Sequence, residues 1–239
     1  MHLFFIRHGQ SVNNALWDQG RGDEGRVPDP ELTENGVQQA TLVGQFFGQH
    51  HKNGVPVTHH NYFDLTHLYC SLMVRAIDTA NAVAETTGLT PVVWEGIHET
   101  GGIWNWNEAG DKREGFPGKN RADFEARYPN LILPDGLDEQ GWWNRPFEDV
   151  DQFSIRAKAF VKDLFDRHGG TDDRVAIVSH GGFYNWMMRA FLNLPIERPT
   201  PFWLAMNNTA ITRIDFGGND PMRVAYQNRV DFLPPELVT

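Results

Sequence analysis

The chain begins Met1-His2-Leu3-Phe4-Phe5-Ile6-Arg7-His8-Gly9, where a short apolar run breaks into a polar loop. The run of four aromatic and aliphatic residues predicts a buried β-strand at Leu3 to Ile6. A helix is predicted next, beginning after the N-cap residue Thr33 and ending at about His50. The apolar residues at helical spacing within it are Val37, Ala40, Val43 and Phe47. The opening of the chain is therefore predicted to be a strand, a loop and a helix.

A second unit repeats this order. His67 to Cys70 predicts a strand, and the helix after it runs from about Met73 to Thr87. That helix is expected to stop at Gly88, because glycine is the preferred C′ residue. Pro91 to Trp94 predicts a further strand.

The third unit gives the strongest signal. A helix from about Asp151 to His168 closes on Gly169-Gly170, and Arg174 to Val178 then predicts a central strand. After Ser179-His180-Gly181-Gly182, another helix is predicted to bury one face. Its apolar residues at helical spacing are Phe183, Trp186, Met187, Ala190, Phe191 and Leu194.

The end of the chain predicts a hairpin. Thr209 to Phe216 and Met222 to Asn228 are two β-type runs separated by Gly217-Gly218-Asn219. Strands that alternate with helices predict an α/β fold, a three-layer sandwich with a mainly parallel central sheet flanked by helices and an antiparallel edge. A length of 239 residues is compatible with a single domain over residues 1–239.

One long stretch departs from this pattern. Between Glu99 and Phe147 only Arg121 to Tyr128 is predicted to be helical, and the remainder is rich in glycine, tryptophan and charge. Long irregular segments inside compact domains are commonly lids or binding loops, so we predict a lid-like insertion at about residues 100–147. The alternative is a surface excursion that packs its tryptophans into a small core of its own. These tryptophans are Trp104, Trp106, Trp142 and Trp143.

Composition excludes several functions. With 21 Lys and Arg against 31 Asp and Glu, the formal net charge of −10 disfavours nucleic acid and anionic lipid as partners. No apolar stretch approaches the roughly 18 residues that cross a bilayer, and the N-terminus does not resemble a signal peptide. The single cysteine, Cys70, fits a reducing compartment, and we expect a cytoplasmic protein.

Two histidines are predicted to meet at one edge of the sheet. His8 follows the first strand and His180 follows the central strand, and ligands of α/β sheets bind at the carboxyl ends of strands. A neutral imidazole can attack phosphorus and form phosphohistidine. The arginines Arg7 and Arg75 are suited to the phosphoryl oxygens, and the amide of Gly181 at a helix start adds a donor.

Four strings resemble a known family. Arg7-His8-Gly9-Gln10-Ser11 followed by Asn14 resembles the signature of the histidine phosphatase superfamily, in its phosphoglycerate mutase-like branch. Three later strings match the family in the same order: Leu32-Thr33-Glu34-Asn35-Gly36 with Gln39-Ala40, Ser71-Leu72-Met73-Val74-Arg75-Ala76 with Thr79-Ala80, and Ser179-His180-Gly181-Gly182.

The resemblance implies roles for individual residues. It makes His8 the nucleophile, with Arg7, Arg75 and His180 completing a phosphate pocket. Ser11 and Asn14 are expected to assist in substrate binding. The family places an acidic residue after the third strand to protonate the leaving oxygen, and Glu99 fits that position. Its nearby competitor is Glu95.

The resemblance therefore predicts a phosphomonoesterase that acts on a small phosphorylated metabolite and needs no metal or other cofactor. Mutases of the family carry a Tyr-Gly after the acid and an Arg-Arg pair in the insertion. In this chain Glu99 precedes Thr100-Gly101-Gly102, and no Arg-Arg pair occurs, so hydrolysis is favoured. The insertion still offers Lys and Arg residues for a second anionic group, but they alternate with acids as on a solvated surface. These are Lys112, Arg113, Lys119, Arg121 and Arg145.

Three alternatives remain at this stage. They are phosphoglycerate mutase-type phosphoryl transfer, a phosphate-binding module without turnover, and metal-dependent hydrolysis. The histidines that suggest a metal are His50-His51, His59-His60 and His67, but adjacent histidines on a helix diverge by about 100°. Apolar Trp203, Leu204 and Met206 cover either the chain's own core or a partner subunit, so a homodimer stays open.

Overall fold

The computed structural model describes residues 1–51, 63–137, 139–195, 202–218 and 221–239. A six-stranded sheet has the order β3-β2-β6-β1-β7-β8, and a separate hairpin pairs β4 with β5. The strands are β1 (His2–Arg7), β2 (His67–Cys70), β3 (Pro91–Val93), β4 (Trp104–Trp106), β5 (Arg113–Gly115), β6 (Arg174–Ser179), β7 (Ile211–Asp215) and β8 (Arg223–Arg229). The helices are α1 (Val12–Asp18), α2 (Glu34–His50), α3 (Val74–Thr87), α4 (Arg121–Arg127), α5 (Val150–His168) and α6 (Gly181–Phe191).

The predicted α/β class is confirmed. Strands β3, β2, β6 and β1 are parallel neighbours, and β7 and β8 form an antiparallel edge. Strand β6 lies between β2 and β1, and Val175 to Val178 are fully buried. A strand that is covered by helices on both faces has a continuous run of apolar residues. The apolar run of β6 therefore predicted its central position correctly.

Side-chain alternation along β1 divides the core between the two faces of the sheet. Phe4 and Ile6 pack on the side of α2 and α3, whereas Leu3 and Phe5 pack on the side of α5 and α6. Successive strand residues point to opposite faces, so one strand feeds both layers. The arrangement explains why β1 has no exposed face and reads as an unbroken apolar run.

Most element boundaries follow local signals. Thr33 caps α2 by accepting a hydrogen bond from the Gly36 amide, and Gly88 ends α3 in the left-handed region at φ +75°. Both residues were predicted at these positions from their chemistry alone. Within α2, Val37 is an exception, because its side chain is 54% exposed rather than turned toward the core.

The structure differs from the prediction at helix α6 and at two elements that were not predicted. Helix α6 ends at Phe191, so Leu194 lies outside it, and Gly182 to Arg189 are all buried rather than only one face. Helix α1 was not predicted, because it has one main apolar residue facing the core, Leu16. The hairpin of β4 and β5 inside the insertion was also not predicted.

The tryptophans of the insertion lie in two different environments. Trp143 is buried with Met73 and Ile103 in a small cluster, against which Trp142 packs. Trp104 instead forms the wall of an open cavity. Among the apolar residues before β7, Leu204 and Met206 pack against the protein's own core, while Trp203 is 58% exposed. No helix of the described residues is long and apolar enough to span a bilayer.

Candidate active site

The two histidines predicted to meet do lie side by side. Strands β1 and β6 are paired with Arg7 opposite Ser179, so both loops leave the sheet at the same level. The ring centroids of His8 and His180 are 5.0 Å apart, and both side chains are buried. The carboxyl edge of the parallel strands therefore forms one compact site, as expected for this fold class.

Close backbone packing holds the loop that carries His8. A Cβ on Gly9 would lie 2.5 Å from the Gly36 carbonyl oxygen, and one on Gly36 would lie 2.0 Å from the Gln10 carbonyl oxygen. The Gly9 amide donates to Thr79 Oγ1 at 3.0 Å, and the Gln10 amide donates to Gln39 Oε1 at 2.7 Å. The loop is thus fixed by the start of α2 and by α3, and only glycine permits this approach.

The hydrogen bonds of His8 define which nitrogen is free to react. Its Nδ1 lies 2.6 Å from the carbonyl oxygen of Gly9, which can only accept, so Nδ1 carries the hydrogen. Its Nε2 accepts a hydrogen bond from Arg75 Nε at 3.1 Å and therefore holds a lone pair. Burial, with Arg75 and Arg7 nearby, holds the pKa of His8 well below its ordinary value. The ring is consequently neutral with Nε2 as its available nucleophile.

His180 is the second imidazole of the site. Its Nε2 lies 2.6 Å from Ser71 Oγ, and its Nδ1 is buried without a hydrogen bond to any described residue. Burial is the main cause of a pKa well below the ordinary value, followed by the charge of Arg75. When the ring is protonated, Nδ1 becomes a hydrogen-bond donor that a bound anion can accept from.

Two buried guanidinium groups supply positive charge. Burial lowers the pKa of both Arg7 and Arg75 from the ordinary value, and nearby carboxylates partly offset the change. Arg7 donates to the carbonyl oxygen of Met206, which fixes its direction. Arg75 lies 3.5 Å from Asp29, and burial raises the pKa of Asp29 to about 6. Their remaining N–H groups include Arg7 Nε, which makes no hydrogen bond within the described part of the chain.

The Glu99 carboxyl group lies against the first turn of α6. Its Oε1 accepts from the Phe183 amide at 3.0 Å and from the Thr100 amide at 2.8 Å, and its Oε2 accepts from the Gly182 amide at 3.2 Å. A Cβ on Gly182 would lie 2.2 Å from Oε1. The carboxyl group is therefore anchored to the first turn of α6 and borders the open cavity, whereas the exposed Glu95 lines a different groove.

The predicted helper residues are placed differently. Ser11 caps α1, its hydroxyl accepting from the Asn14 amide and donating to Asn14 Oδ1. Asn14 Oδ1 also accepts from the side-chain amide of Asn208, which donates to the His8 carbonyl as well. Ser11 and Asn14 thus support the loop of His8 through hydrogen bonds. Gly181 lies beside the site, with its Cα position close to the Arg7 side chain.

Four residues near the reacting groups were not singled out by sequence reasoning. Ser71 contacts His180, Thr79 and Asn208 hold the His8 loop, and Asp29 faces Arg75. Ser71 and Thr79 stand in strings that carried the family resemblance, so a signal was present for both. Asp29 and Asn208 reach the site from distant loops, and local sequence contains no sign of that approach.

A cluster of potential metal ligands lies at the other end of the sheet. His67, His168 and Asp173 place their ligand atoms within 4.8 Å of one another. Both ring nitrogens of His168 are already hydrogen-bonded, Nδ1 to Asp173 at 2.8 Å and Nε2 to the Tyr69 hydroxyl at 3.2 Å. The partners of His67 in this cluster are therefore His168 and Asp173. The sequence had instead grouped it with His50, His51, His59 and His60. His59 and His60 lie outside the described residues.

An open cavity of about 500 Å³ adjoins Glu99. We call it the aromatic cavity. Aromatic side chains from α1, β4, α5 and two loops make up much of its wall, and two arginines contribute charge. Its lining residues are Trp17, Asp23, Arg26, Glu99, Thr100, Gly101, Trp104, Arg113, Phe147, Phe153, Gly182 and Trp203. The site thus consists of a buried, positively charged pocket and a broader entrance.

A known protein family matches this sequence over nearly its whole length. The profile of the histidine phosphatase superfamily (branch 1) matches residues 3–229. The Yersinia pestis (strain Pestoides F) protein named "Probable phosphoglycerate mutase GpmB" is 23% identical over 216 residues, which cover 90% of this chain and 85% of that protein.

Solved structures share the fold. A mycobacterial glucosyl-3-phosphoglycerate phosphatase superimposes with a TM-score of 0.59 at 21% identity, covering 96% of this chain and 99% of the other. The phosphoserine phosphatase of Entamoeba histolytica, in complex with 3-phosphoglyceric acid, gives a TM-score of 0.60 at 22% identity, covering 98% and 99%.

Two neighbouring glycines allow the anchoring of Glu99 to be tested. We expect Gly182→Ala to push the Glu99 carboxylate off the α6 amides and to lower the free energy of unfolding by about 1–3 kcal/mol. In Gly181→Ala the new Cβ would meet Arg7 Nε at 3.6 Å, an ordinary contact, so the change should stay within about 0.5 kcal/mol. Denaturant unfolding of both variants checks this. Equal effects of the two substitutions would contradict the proposed steric conflict.

The two imidazoles are expected to stay neutral in acid. Since burial holds both pKa values well below the ordinary 6.5, neither His8 nor His180 should show in the folded protein the protonation that the unfolded chain undergoes as the pH falls through about 6.5. Nitrogen NMR of the rings measures this, with the urea-unfolded chain as the reference.

The same shift has a consequence for stability. Below about pH 6.5 only the unfolded chain takes up these protons, so the free energy of unfolding should decrease as the pH falls. Each ring contributes up to about 1.4 kcal/mol per pH unit. Folded-state titration at or above the ordinary value would contradict the assignment of neutral rings.

Proposed function

Because the chain belongs to branch 1 of the histidine phosphatase superfamily, we propose that it is a phosphomonoesterase that hydrolyses a small phosphorylated metabolite through a phosphohistidine. One observation carries the proposal. His8 presents the lone pair of Nε2 in a buried pocket where Arg75 already contacts that atom and where Arg7 and His180 lie close by. A neutral nucleophile surrounded by cations is suited to attack a phosphoryl dianion.

The first step transfers the phosphoryl group to the protein. The lone pair of His8 Nε2 forms a bond to phosphorus while the bond from phosphorus to the ester oxygen breaks. Arg75 leaves Nε2 and, with Arg7, donates to the non-bridging oxygens, whose charge increases in the transition state. The ester oxygen departs as an alcohol once it receives a proton, and we assign that proton to the Glu99 carboxyl group in its acid form.

The Gly9 carbonyl supports this step. It accepts the Nδ1 hydrogen of His8 at 2.6 Å, so the ring keeps its orientation and spreads the positive charge that develops on attack. His180 contributes when the dianion is bound, because the negative charge favours protonation of the ring and the buried Nδ1 then donates a hydrogen bond. The arginines and His180 together supply the charge stabilisation that a metal provides in other phosphatases.

The second step regenerates the free protein. Water attacks the phosphohistidine from the side that the alcohol left, and Glu99, now ionised, accepts a proton from it. The bond from phosphorus to Nε2 breaks and inorganic phosphate leaves. The three amides and the Thr100 hydroxyl that donate to Glu99 hold the carboxyl group at the same place in both steps.

Phosphoglycerate mutase activity is the second candidate. The similarity to a protein named as a phosphoglycerate mutase favours it, and the similar folds of phosphatases favour hydrolysis. A mutase must exclude water while phosphohistidine waits for a second acceptor. The aromatic cavity is open to solvent beside Glu99, which supports hydrolysis. A phosphate-binding module without turnover is disfavoured because each expected chemical group stands in the site.

Removal of the nucleophile should abolish turnover. We expect His8→Ala to lower kcat/KM for benzyl phosphate at least about a thousand-fold, measured as phosphate release in the presence of EDTA. Acid-quenched reactions of the unaltered protein should contain phosphohistidine, and those of His8→Ala should contain none. Turnover by His8→Ala would overturn the proposed nucleophile, and EDTA-sensitive turnover restored by one divalent ion would overturn the metal-free reaction.

Proton donation by Glu99 predicts that the effect of its substitution depends on the leaving group. Glu99→Gln should lower kcat for benzyl phosphate by about 100-fold or more, because the alcohol needs a proton to depart. The loss should be much smaller for 4-nitrophenyl phosphate, whose leaving group departs as a stable anion. Glu95→Gln is the matched control, since Glu95 is exposed and lies outside the aromatic cavity. Equal losses with both substrates would contradict proton donation by Glu99.

A substrate panel separates hydrolysis from phosphoryl transfer. With 3-phosphoglycerate and its bisphosphate activator, we expect inorganic phosphate to appear without formation of 2-phosphoglycerate. Phosphate is measured by a coupled colour assay and the isomers by phosphorus NMR in the same samples. Isomer formation faster than phosphate release would replace the hydrolase proposal with the mutase.

A further inference from the structure

The aromatic cavity contains two tryptophans that the protein leaves largely uncovered. Trp17 on α1 is 61% exposed and Trp203, in the segment before β7, is 58% exposed. They come from distant parts of the chain yet line the same cavity as Glu99. Among the described residues, no other ring stacks on either of them. Exposed aromatic surface gathered around one opening commonly marks a binding site.

The other aromatic residues of the entrance are occupied within the protein. Trp104 is 8% exposed, with the Arg26 guanidinium 3.7 Å from its ring centroid and the Phe147 ring 5.4 Å away in an edge contact. Phe153 packs against Trp186 at 4.8 Å. These contacts give a rigid wall and leave Trp17 and Trp203 as the surfaces available to a ligand. An apolar, flat group would remove their faces from water.

Arg26 adds one positive charge beside this surface. Its side chain is 16% exposed, and its Nη1 lies 3.7 Å from Asp23 Oδ1, longer than a hydrogen bond. The other carboxylate oxygen of Asp23 accepts from Trp106 Nε1 at 3.0 Å. Burial, with Arg75 nearby, lowers the pKa of Arg26 to about 10, so the group stays charged at neutral pH. Its Nε donates to the Trp104 carbonyl oxygen at 3.4 Å, so Nη1 and Nη2 are the donors that remain for an anion in the cavity.

The balance of charge limits that anion to a single negative charge. The charged residues of the lining are Arg26, Arg113, Asp23 and Glu99. In the proposed first step Glu99 carries the proton that it gives to the ester oxygen, so the lining then has a formal excess of one positive charge. Arg113 is also engaged by aromatic faces, with Trp106 and Phe147 about 5 Å from its guanidinium carbon. A second phosphoryl dianion would exceed this single positive charge, whereas one carboxylate matches it and can pair with Arg26 through two parallel hydrogen bonds.

We propose that the substrate is a phosphomonoester whose alcohol part carries an aromatic ring and a carboxylate, the ring lying between Trp17 and Trp203 and the carboxylate on Arg26. This rests on the proposed function, because the ester oxygen must lie at Glu99 for the alcohol part to extend into the cavity. A volume of about 500 Å³ accommodates a ring with one substituent. Trp17, Trp203 and Arg26 are thus specificity-determining residues.

Four esters of primary alcohols of similar acidity test the two parts separately. They are ethyl phosphate, benzyl phosphate, 4-(phosphonooxymethyl)benzoate and the methyl ester of that benzoate. Since the leaving groups are chemically alike, differences in kcat/KM report contacts in the cavity. We expect benzyl over ethyl phosphate by about tenfold or more. The free benzoate should exceed its methyl ester by about tenfold or more.

Single substitutions should remove each preference independently. Trp203→Leu should reduce the benzyl-to-ethyl ratio towards one, and Arg26→Gln should reduce the benzoate-to-ester ratio towards one. Phe202→Leu and Arg121→Gln are matched controls, because they change an exposed aromatic residue next to Trp203 and an arginine on α4, both outside the cavity. The controls should preserve both ratios.

Each outcome bears on one proposal. Ratios near one in the unaltered protein, or ratios that survive both substitutions, would overturn the substrate class while hydrolysis itself stands. A faster reaction with the corresponding bisphosphate than with the benzoate would overturn the assignment of a carboxylate. If no ester turns over, the proposed function fails. Binding of ethyl and benzyl phosphonates, followed by tryptophan fluorescence, then decides the inference, and equal affinities would overturn it.

Discussion

An imidazole that must stay uncharged next to two guanidinium groups is the constraint on which this site depends. His8 is nucleophilic only with a free lone pair, and proximity to Arg75 and Arg7 makes protonation costly. The Gly9 carbonyl takes the Nδ1 hydrogen, so the lone pair falls on Nε2, the atom that Arg75 contacts. The cations that would later hold the phosphate therefore also keep the nucleophile ready.

Such an arrangement is unfavourable by itself and has to be held by the fold. Two backbone segments approach so closely at Gly9 and Gly36 that no Cβ fits between them. Thr79 and Gln39 then take up the amide hydrogens of the loop, which leaves little freedom for His8 to move away from Arg75. Several residues in the strings that resemble the family act in this supporting way and touch no reacting atom.

Local chemistry explains which parts of the structure were predictable. The N-cap Thr33, the C′ residue Gly88 and the apolar run of β6 each act within a few residues, so the α/β layers and the meeting of His8 with His180 followed from sequence. Arg26 and Asp29 gave no such signal. Their positions depend on how a loop after α1 folds back over the sheet, which is set by contacts far away in sequence.

The residues proposed to act on phosphorus and those proposed to select the substrate lie in different parts of the fold. Among the groups that would act on phosphorus, Arg7 and His8 lie at the end of β1 and His180 follows β6. The hydrogen-bonded pairing of these two strands sets their relative positions. The cavity around the alcohol part is built from α1, the loop after it, the insertion and the segment before β7. None of the lining residues of this cavity lies in a strand of the six-stranded sheet. Under the proposed function, selectivity can therefore change in this architecture without disturbing the neutral imidazole on which turnover would depend.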